Sequence, residues 1–289
     1  MKPPVFKYVA ARSVDEAVSH LAQHAGDAKV LAGGQSLTPM LNFRLARPKV
    51  LVDINRIGGL DGIKSDKGAL TIGTLVRHRT VETSPVIAER FPILAAAAKQ
   101  VGHLAIRNRG TFGGSLAHND PAAEFPMIAL LLDAEIKTKS SGGGRTIKAK
   151  DFFVTYLTSA VQDGEMVTEV RIPELPAKTG WGFEELSRRP GDFALAAVAA
   201  TVTMNGGKCA EARISMAGVG PNPLRASEAE GLLKGQQLDE GLLKKAAAAA
   251  AKSADPSNDV HASADFRRHL VDVLTQRALK AAVERAGKA

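Results

Sequence analysis

Cysteine, aromatic residues and long apolar runs are all scarce in this 289-residue chain. The single cysteine, Cys209, excludes an internal disulfide, a four-cysteine zinc site and an iron–sulfur cluster ligated by cysteines of this chain alone. Aromatic residues make up only 4% of the sequence, which argues against a nucleic-acid surface built on base stacking. The longest apolar run, Phe193–Ala200, is far shorter than the roughly 18 residues of a membrane span, so no transmembrane segment is predicted.

The N-terminus also lacks the apolar core of a secretory signal peptide, because Asp15 and Glu16 interrupt it early. The cytoplasm is therefore the predicted location. Positive charge is in excess, since 38 lysines and arginines against 30 aspartates and glutamates give a formal net charge of +8. This charge favours an anionic partner, and it leaves nucleic acid, a phosphorylated ligand and an acidic protein surface as alternatives.

The apolar pattern divides the chain into three blocks. The opening segment alternates strand and helix, with Ser13 and Glu16 spaced as a capping box before the first helix. A second block combines strands, an alanine-rich helix and a hairpin across the glycines at 142–144, and in it Asp120 is the predicted N-cap of a helix with Pro121 as its first residue. From about residues 173–180 onward, the pattern predicts antiparallel strands and then helices.

The strongest chemical signal is a pair of glycine-rich turns, each leading towards a helix. The first lies in KVLAGGQSL at 29–37, and the second lies in GTFGGSL at 110–116. Glycine has no Cβ, so the backbone can adopt positive φ and a ligand can approach closely. Backbone amides and the hydroxyls of Ser36, Thr111 and Ser115 can then face an anion at a helix start. Two such turns suit a ligand with two phosphates, although two ordinary tight turns explain the pattern equally well.

Other nucleotide and catalytic signatures are missing from the sequence. There is no GxxxxGK[ST] motif, and the nearest approach to GxGxxG, GVGPNP at 218–223, has a proline in place of the third glycine. No Ser/His/Asp or Cys/His order stands out, and no third ligand accompanies the histidines at 20 and 24. The residues alone therefore predict no catalytic side chain and no metal site.

Two longer stretches bring a family into view. AGGQSLTPML at 32–41 and IRNRGTFGGSLAHNDPAAEFP at 106–126 resemble the two FAD-binding motifs of the molybdenum hydroxylases. SRRPGDFALAAVAA at 187–200 and DFRRHLVDVLTQRAL at 265–279 are similar to later landmarks of the same family. The likeness runs in order from about residue 1 to 285. It is greatest to the separate medium, FAD-binding subunit of the carbon monoxide dehydrogenase and xanthine dehydrogenase type.

The resemblance implies an α+β fold in two domains. Residues 1–175 would form a FAD-binding domain of the PCMH/vanillyl-alcohol-oxidase type, with subdomains at about 1–55 and 56–175. Residues 176–289 would form a small C-terminal domain of the CO dehydrogenase flavoprotein type, with an antiparallel sheet and helices.

The resemblance also implies which residues contact FAD. The assigned positions are Lys29, Val30, Leu31, Ala32, Gly33, Gly34, Gln35, Ser36, Leu37, Ile106, Thr111, Gly114, Ser115, Ala117, Glu124, Val167, Glu185 and Phe193. Residues 33–36 would lie at the diphosphate, Glu124 near the adenosine half, and the last three along or near the flavin. Glu185 stands where relatives often carry lysine, and a carboxylate there would disfavour the anionic reduced flavin. No catalytic residue and no metal ligand is assigned to this chain.

The implied function is electron transfer within a heterotrimer. FAD on this chain would take electrons from two [2Fe–2S] clusters on a small subunit and pass them to an external acceptor. A large subunit would hold molybdenum–molybdopterin cytosine dinucleotide and hydroxylate the substrate, and the assembly would be a dimer of heterotrimers. The lone cysteine agrees with clusters carried by a partner. The sequence predicts no nucleic-acid partner, because its basic clusters are sparse.

One alternative of the same fold is a stand-alone flavin-dependent oxidase or reductase. That activity would need an acid–base group of its own for the substrate, and the sequence offers no convincing one.

Overall fold

The computed structural model describes residues 1–66 and 68–288 and has mixed helix and sheet. The opening segment contains β1 (Lys7–Ala10), α1 (Val14–Gln23), β2 (Ala28–Leu31), α2 (Leu37–Asn42) and β3 (Val50–Asp53). Its three strands form a parallel sheet in the order β1-β3-β2. The first glycine turn follows β2, so it leaves this sheet at the carboxyl end of a strand.

The second block is built on an antiparallel sheet. Its elements are β4 (Ile63–Asp66), β5 (Ala69–Gly73), α3 (His78–Thr83), α4 (Pro85–Arg90), α5 (Pro92–Gln100), α6 (Leu104–Arg107), α7 (Phe112–His118), α8 (Glu124–Leu131), β6 (Glu135–Ser140), β7 (Gly143–Lys148), α9 (Ala149–Phe152), β8 (Phe153–Thr155), β9 (Thr158–Ser159) and β10 (Met166–Pro173). Five strands pair in the order β4-β5-β10-β6-β7, and β8 and β9 form a separate two-stranded ribbon. The second glycine turn starts α7, which packs on β10.

The C-terminal part contains a four-stranded antiparallel sheet covered by helices. Its elements are β11 (Thr179–Ser187), β12 (Ala194–Asn205), β13 (Lys208–Ala217), β14 (Leu224–Arg225), α10 (Ser227–Leu233), α11 (Glu240–Ser253) and α12 (Ala264–Ala286). The strands pair in the order β11-β12-β13-β14. Helix α12 packs across β11 and β12.

The alanine-rich strand β12 joins the two larger cores. Its side chains alternate between the two faces of the sheet. Ala197 and Ala199 face a core shared with the second block, whereas Val198 and Val202 face the core beneath the C-terminal helices. Both faces of this strand are buried, which explains its almost continuous apolar sequence.

The α+β fold class is confirmed, whereas two local predictions need correction. The Ser13 hydroxyl accepts a hydrogen bond from Glu16 N as expected, but the Glu16 carboxylate accepts from Arg12 N and not from Ser13 N. Helix α8 begins at Glu124, so the prediction that Asp120 caps it is wrong. Asp120 Oδ1 and its carbonyl oxygen accept from the amides of Ala122 and Ala123, which closes a tight turn before the helix can start.

Among the described residues, no helix combines the length and apolar character needed to cross a membrane.

Candidate functional site

The first glycine turn, residues 32–36, presents unpaired backbone donors. Gly34 has a φ of 72°, in the left-handed region that glycine occupies without strain. In the described part of the chain, the backbone N–H groups of residues 33–37 donate to no protein acceptor. Ser36 makes no side-chain capping hydrogen bond, so its hydroxyl is free as well. A row of unpaired N–H groups of this kind suits an anion such as a phosphate.

At the second glycine turn, residues 110–115, the backbone N–H groups donate to acceptors within the protein. The amides of Phe112 and Gly113 donate to Val76 O and Thr74 O at 2.8 and 3.1 Å. The amide of Gly114 donates to Thr111 Oγ1 at 3.2 Å, so Thr111 is the N-cap of α7. The sequence predicted available amides at both turns, but at the second the amides of residues 112–114 are already paired.

The two turns touch each other through Gly33. A Cβ at this position would overlap with the carbonyl oxygen of Arg109 and would lie 2.8 Å from the Cα of Gly110. Only glycine fits such an approach, so Gly33 is required by contact between two segments that are 76 residues apart in sequence (109 minus 33). This contact brings the two predicted FAD motifs into one site.

The floor of the second turn is made by residues that sequence reasoning missed. His78 is buried and lies against Gly110, and its Nε2 donates to Thr111 O at 2.9 Å. Burial lowers the pKa of His78 to about 4, so this histidine is neutral at physiological pH. Gly113 packs directly on Thr74, where a Cβ would overlap with the hydroxyl and approach the backbone Cα to 2.8 Å. No motif marks Thr74 or His78, because both come from a segment outside the glycine stretches.

Positive charge gathers where the two turns meet. Arg77 and Arg109 both lie at this contact, and the Arg77 guanidinium donates to the carbonyl oxygen of Arg109. Burial lowers the pKa of Arg77 most, and the positive charge of Arg109 lowers it further. The two cations are therefore close enough to repel each other. A ligand with two negative charges would relieve this repulsion.

Glu124 and Glu185 form a second feature, which spans the two predicted domains. Glu124 is 8% exposed at the start of α8, and Glu185 lies on β11 with its Oε2 buried and unpaired in the described part of the chain. Burial, and then the charge of Glu185, raise the pKa of Glu124, while burial raises that of Glu185. The structure therefore brings these two assigned residues together, and an unpaired buried oxygen is available for a ligand.

The remaining assigned residues occupy varied positions. Residues 29–31 form β2, and Leu37 is the first residue of α2. Ile106 lies in α6, and its carbonyl oxygen accepts from Gly110 N at 2.7 Å. Ser115, the last residue of the second turn, and Ala117 lie on α7. Val167 is buried in the core shared by β10 and its neighbours, whereas Phe193 is 70% exposed in the connection between β11 and β12. Contact of these side chains with a cofactor stays a prediction.

The turns fit the diphosphate of FAD better than a metal ion. They offer unpaired amides, close backbone approach and the positive charge of Arg77 beside Arg109, all of which suit an anion. In residues 1–66 and 68–288, no cluster of three or more His, Cys, Asp or Glu side chains could hold a metal ion. FAD would thus be held with its diphosphate at residues 33–37.

Family models cover both predicted domains of the chain. The model described as FAD binding domain in molybdopterin dehydrogenase matches residues 4–175, and the model described as CO dehydrogenase flavoprotein C-terminal domain matches residues 181–282. The predicted resemblance is therefore confirmed along most of the sequence.

Whole-length relatives agree with this assignment. The 6-hydroxypseudooxynicotine dehydrogenase complex subunit alpha of Paenarthrobacter nicotinovorans is 45% identical over 99% of this chain and 97% of its own length. A solved chain of carbon monoxide dehydrogenase from Hydrogenophaga pseudoflava superposes with a TM-score of 0.96 at 38% identity and covers 99% of both chains. A chain of quinoline 2-oxidoreductase from Pseudomonas putida 86 gives a TM-score of 0.94 at 40% identity, again with 99% of both chains covered. By the two family models and by whole-length similarity, this chain belongs to the family of FAD-binding subunits of molybdenum hydroxylases.

Proposed function

We propose that this chain is the electron-transfer subunit of a heterotrimeric molybdenum hydroxylase. It would take electrons from two [2Fe–2S] clusters of a small subunit and deliver them to an external acceptor. A large subunit would carry molybdenum–molybdopterin cytosine dinucleotide, and two heterotrimers would associate in the cytoplasm. The observation that supports this proposal is the contact of Gly33 with the Arg109 carbonyl oxygen, which joins the two predicted FAD motifs.

The proposed distribution of cofactors among the chains follows from the residues that this chain contains. Bound FAD supplies two-electron and one-electron redox chemistry, while the protein supplies position and charge. The chain's one cysteine, Cys209, is buried, and burial raises the pKa of its thiol. It is therefore a poor cluster ligand, and iron must come from a partner. The similar proteins named as a dehydrogenase complex subunit alpha and as a nicotine 6-hydroxylase medium subunit support a multi-subunit assembly.

The residues around the turns have distinct roles in this proposal. The amides of residues 33–37 bind the diphosphate, and the guanidinium groups of Arg77 and Arg109 offset its charge. Thr111 holds α7 in place through its cap. The resemblance implies that Glu124 would lie near the adenosine half and Glu185 near the flavin, and an ionised Glu185 there would disfavour an anionic reduced ring. These contacts position the cofactor for electron transfer without any catalytic side chain.

Purification of the tagged chain from its native cell tests the proposal. We expect a yellow sample with releasable FAD, together with two further polypeptides, iron and molybdenum. A sample that contains no FAD would contradict flavin binding. A chain that purifies alone with FAD and oxidises a substrate by itself would instead support the stand-alone oxidase or reductase.

A further inference from the structure

We propose that Arg77 and Asn55 are positioning residues that hold the two glycine turns together for FAD. Neither residue lies in a glycine motif, and neither is among the residues that the family resemblance assigns to the cofactor. The proposal rests on FAD binding at these turns and adds how the site is kept in shape before the cofactor arrives.

Arg77 is fixed to the second turn by its backbone and its side chain. It is the N-cap residue of α3 and forms an isolated antiparallel bridge with Thr111. The next residue continues this pairing, because His78 N donates to Gly110 O at 3.0 Å. One arm of the Arg77 guanidinium then reaches back to Arg109 O, the atom that Gly33 approaches.

The other arm of Arg77 reaches the first turn through Asn55. Arg77 Nη2 donates to Asn55 Oδ1 at 2.8 Å, and Asn55 Nδ2 donates to Ala32 O at 2.8 Å. Ala32 begins the first turn and precedes Gly33. One guanidinium thus bonds directly to one turn and, through one amide group, to the other. A guanidinium suits this task because its donors point in fixed, separate directions.

Asn55 is itself held in a single orientation. Its backbone amide and its Nδ2 both donate to Asp53 Oδ1, at 2.8 and 2.7 Å. The other carboxylate oxygen, Asp53 Oδ2, accepts from the Tyr8 hydroxyl at 2.6 Å. With both Asp53 oxygens engaged, Asn55 Oδ1 must face Arg77 and its amide nitrogen must face the first turn. The bridge is therefore a connected network and not a chance contact.

The bridge matters because, among the described residues, the close contact at Gly33 includes no backbone hydrogen bond between the two turns. Gly33 contributes no side chain to the contact, and the amides of residues 33–37 have no protein acceptor among the described residues to fix them. If the bridge is cut, the first turn loses its hydrogen-bonded link to Arg109 through Arg77 and Asn55. The diphosphate would then have to order the turn on binding, and affinity would fall.

The test measures the FAD affinity of the full chain for the variants Arg77→Met and Asn55→Leu and for the double variant. FAD is added back to the apo form, and flavin fluorescence gives the Kd. Each single substitution is expected to raise the Kd about tenfold to a hundredfold, the range for a lost hydrogen bond to a charged group. The double variant should bind little worse than the weaker single variant, because the bridge is already broken. Additive losses would overturn the proposal.

Two further variants distinguish a positioning role of Arg77 from an effect of its positive charge alone. Arg77→Lys keeps the charge but cannot donate to both acceptors, so we expect it to bind FAD weakly as well. Arg79→Met is the matched control, since Arg79 lies on the same helix and pairs with Glu82 at 2.9 Å. It should leave the Kd within about twofold of the parent, below the effect of one lost charged hydrogen bond. If Arg77→Lys binds as the parent does and Asn55→Leu has no effect, Arg77 acts as a charge and the positioning role is wrong.

Hydrogen exchange of the apo chain gives a readout that does not depend on the cofactor. Loss of the bridge should speed exchange in peptides that cover both 28–38 and 106–116, whereas a local defect at α3 would speed exchange only near residues 78–83. Unchanged exchange in both turns of Arg77→Met would contradict the proposal. An apo chain of the parent sequence that binds no FAD would instead reject FAD binding, and exchange would still decide whether the bridge holds the turns.

Discussion

The two glycine turns look alike in sequence but differ in whether their backbone amides have hydrogen-bond acceptors in the protein. The first turn leaves the N–H groups of residues 33–37 without a protein acceptor in the described structure, and its Gln35 and Ser36 are exposed. The second turn buries Thr111 and Gly113 and pairs its amides with Val76, Thr74 and Thr111. One turn is therefore built to bind a ligand, and the other is built to support it.

This difference explains why glycine is needed in both places for separate reasons. At Gly33 the neighbour is the backbone of the other turn, whereas at Gly113 the neighbour is the interior of its own domain. Substitutions at the second turn should consequently act on stability, and substitutions at the first should act on FAD affinity.

Gly113→Ala should have the largest effect on stability. The new Cβ would overlap with Thr74 and approach its backbone, so α7 must shift away from β5. We expect the free energy of unfolding to fall by about 2–3 kcal/mol, as for other overpacked buried sites. Urea denaturation of the apo chain measures this.

Gly231→Ala in α10 is the matched control, because a Cβ there meets nothing within 4 Å. It should be neutral or stabilise by up to about 1 kcal/mol. An equal loss in both variants would show that the contact with Thr74 is not the cause.

We expect Glu124 and Glu185 to make the free energy of unfolding depend on pH. The backbone amides of the first turn, in contrast, do not titrate. The pKa of Glu124 and that of Glu185 are raised in the folded state, so the folded chain binds protons that the unfolded chain releases. Stability should therefore fall as pH rises from the ordinary glutamate pKa towards the raised values, by up to about 1.4 kcal/mol per pH unit for one group.

Glu185→Gln should reduce that slope, because it removes one of the two charges. Thermal unfolding of the parent and of Glu185→Gln between pH 5 and pH 9 tests this. If the slopes of Glu185→Gln and the parent are the same, the pair does not titrate as proposed.

Gly33→Ala should weaken FAD binding about tenfold while it changes stability less than Gly113→Ala does, since a tenfold change corresponds to about 1.4 kcal/mol. The added Cβ would push the first turn away from Arg109 and Gly110. Fluorescence titration of the apo chain with FAD gives the Kd. An unchanged Kd would mean that the contact between the turns does not position the amides.

The smallest expected effects come from the two hydroxyls at the helix starts. Thr111→Val removes the cap of α7 and should cost about 1 kcal/mol of stability. Ser36→Ala removes no capping bond and should change stability by less than about 0.5 kcal/mol. Chemical denaturation of both variants measures the contrast, and equal losses would remove the distinction between the two turns.

Sequence patterns predicted the larger elements well where apolar periodicity was strong. The hairpin across 142–144, and the antiparallel strands followed by helices after residues 173–180, occur as expected. The start of α8 was mispredicted because Asp120 has two local uses, as a helix cap or as the first residue of a tight turn, and residues 120–123 form the turn. Local propensity alone cannot choose between these uses.

The sequence by itself determined the α+β class, the two glycine motifs and the family, because these depend on residue type and spacing along one chain. Only the tertiary structure decided which amides are unpaired, that Gly33 meets Arg109, and that Arg77 and Asn55 join the turns. It also decided that burial raises the pKa of both Glu124 and Glu185, and that the charge of Glu185 raises the pKa of Glu124 further. Each of these depends on distances between segments that are far apart in sequence, and no local pattern encodes such distances.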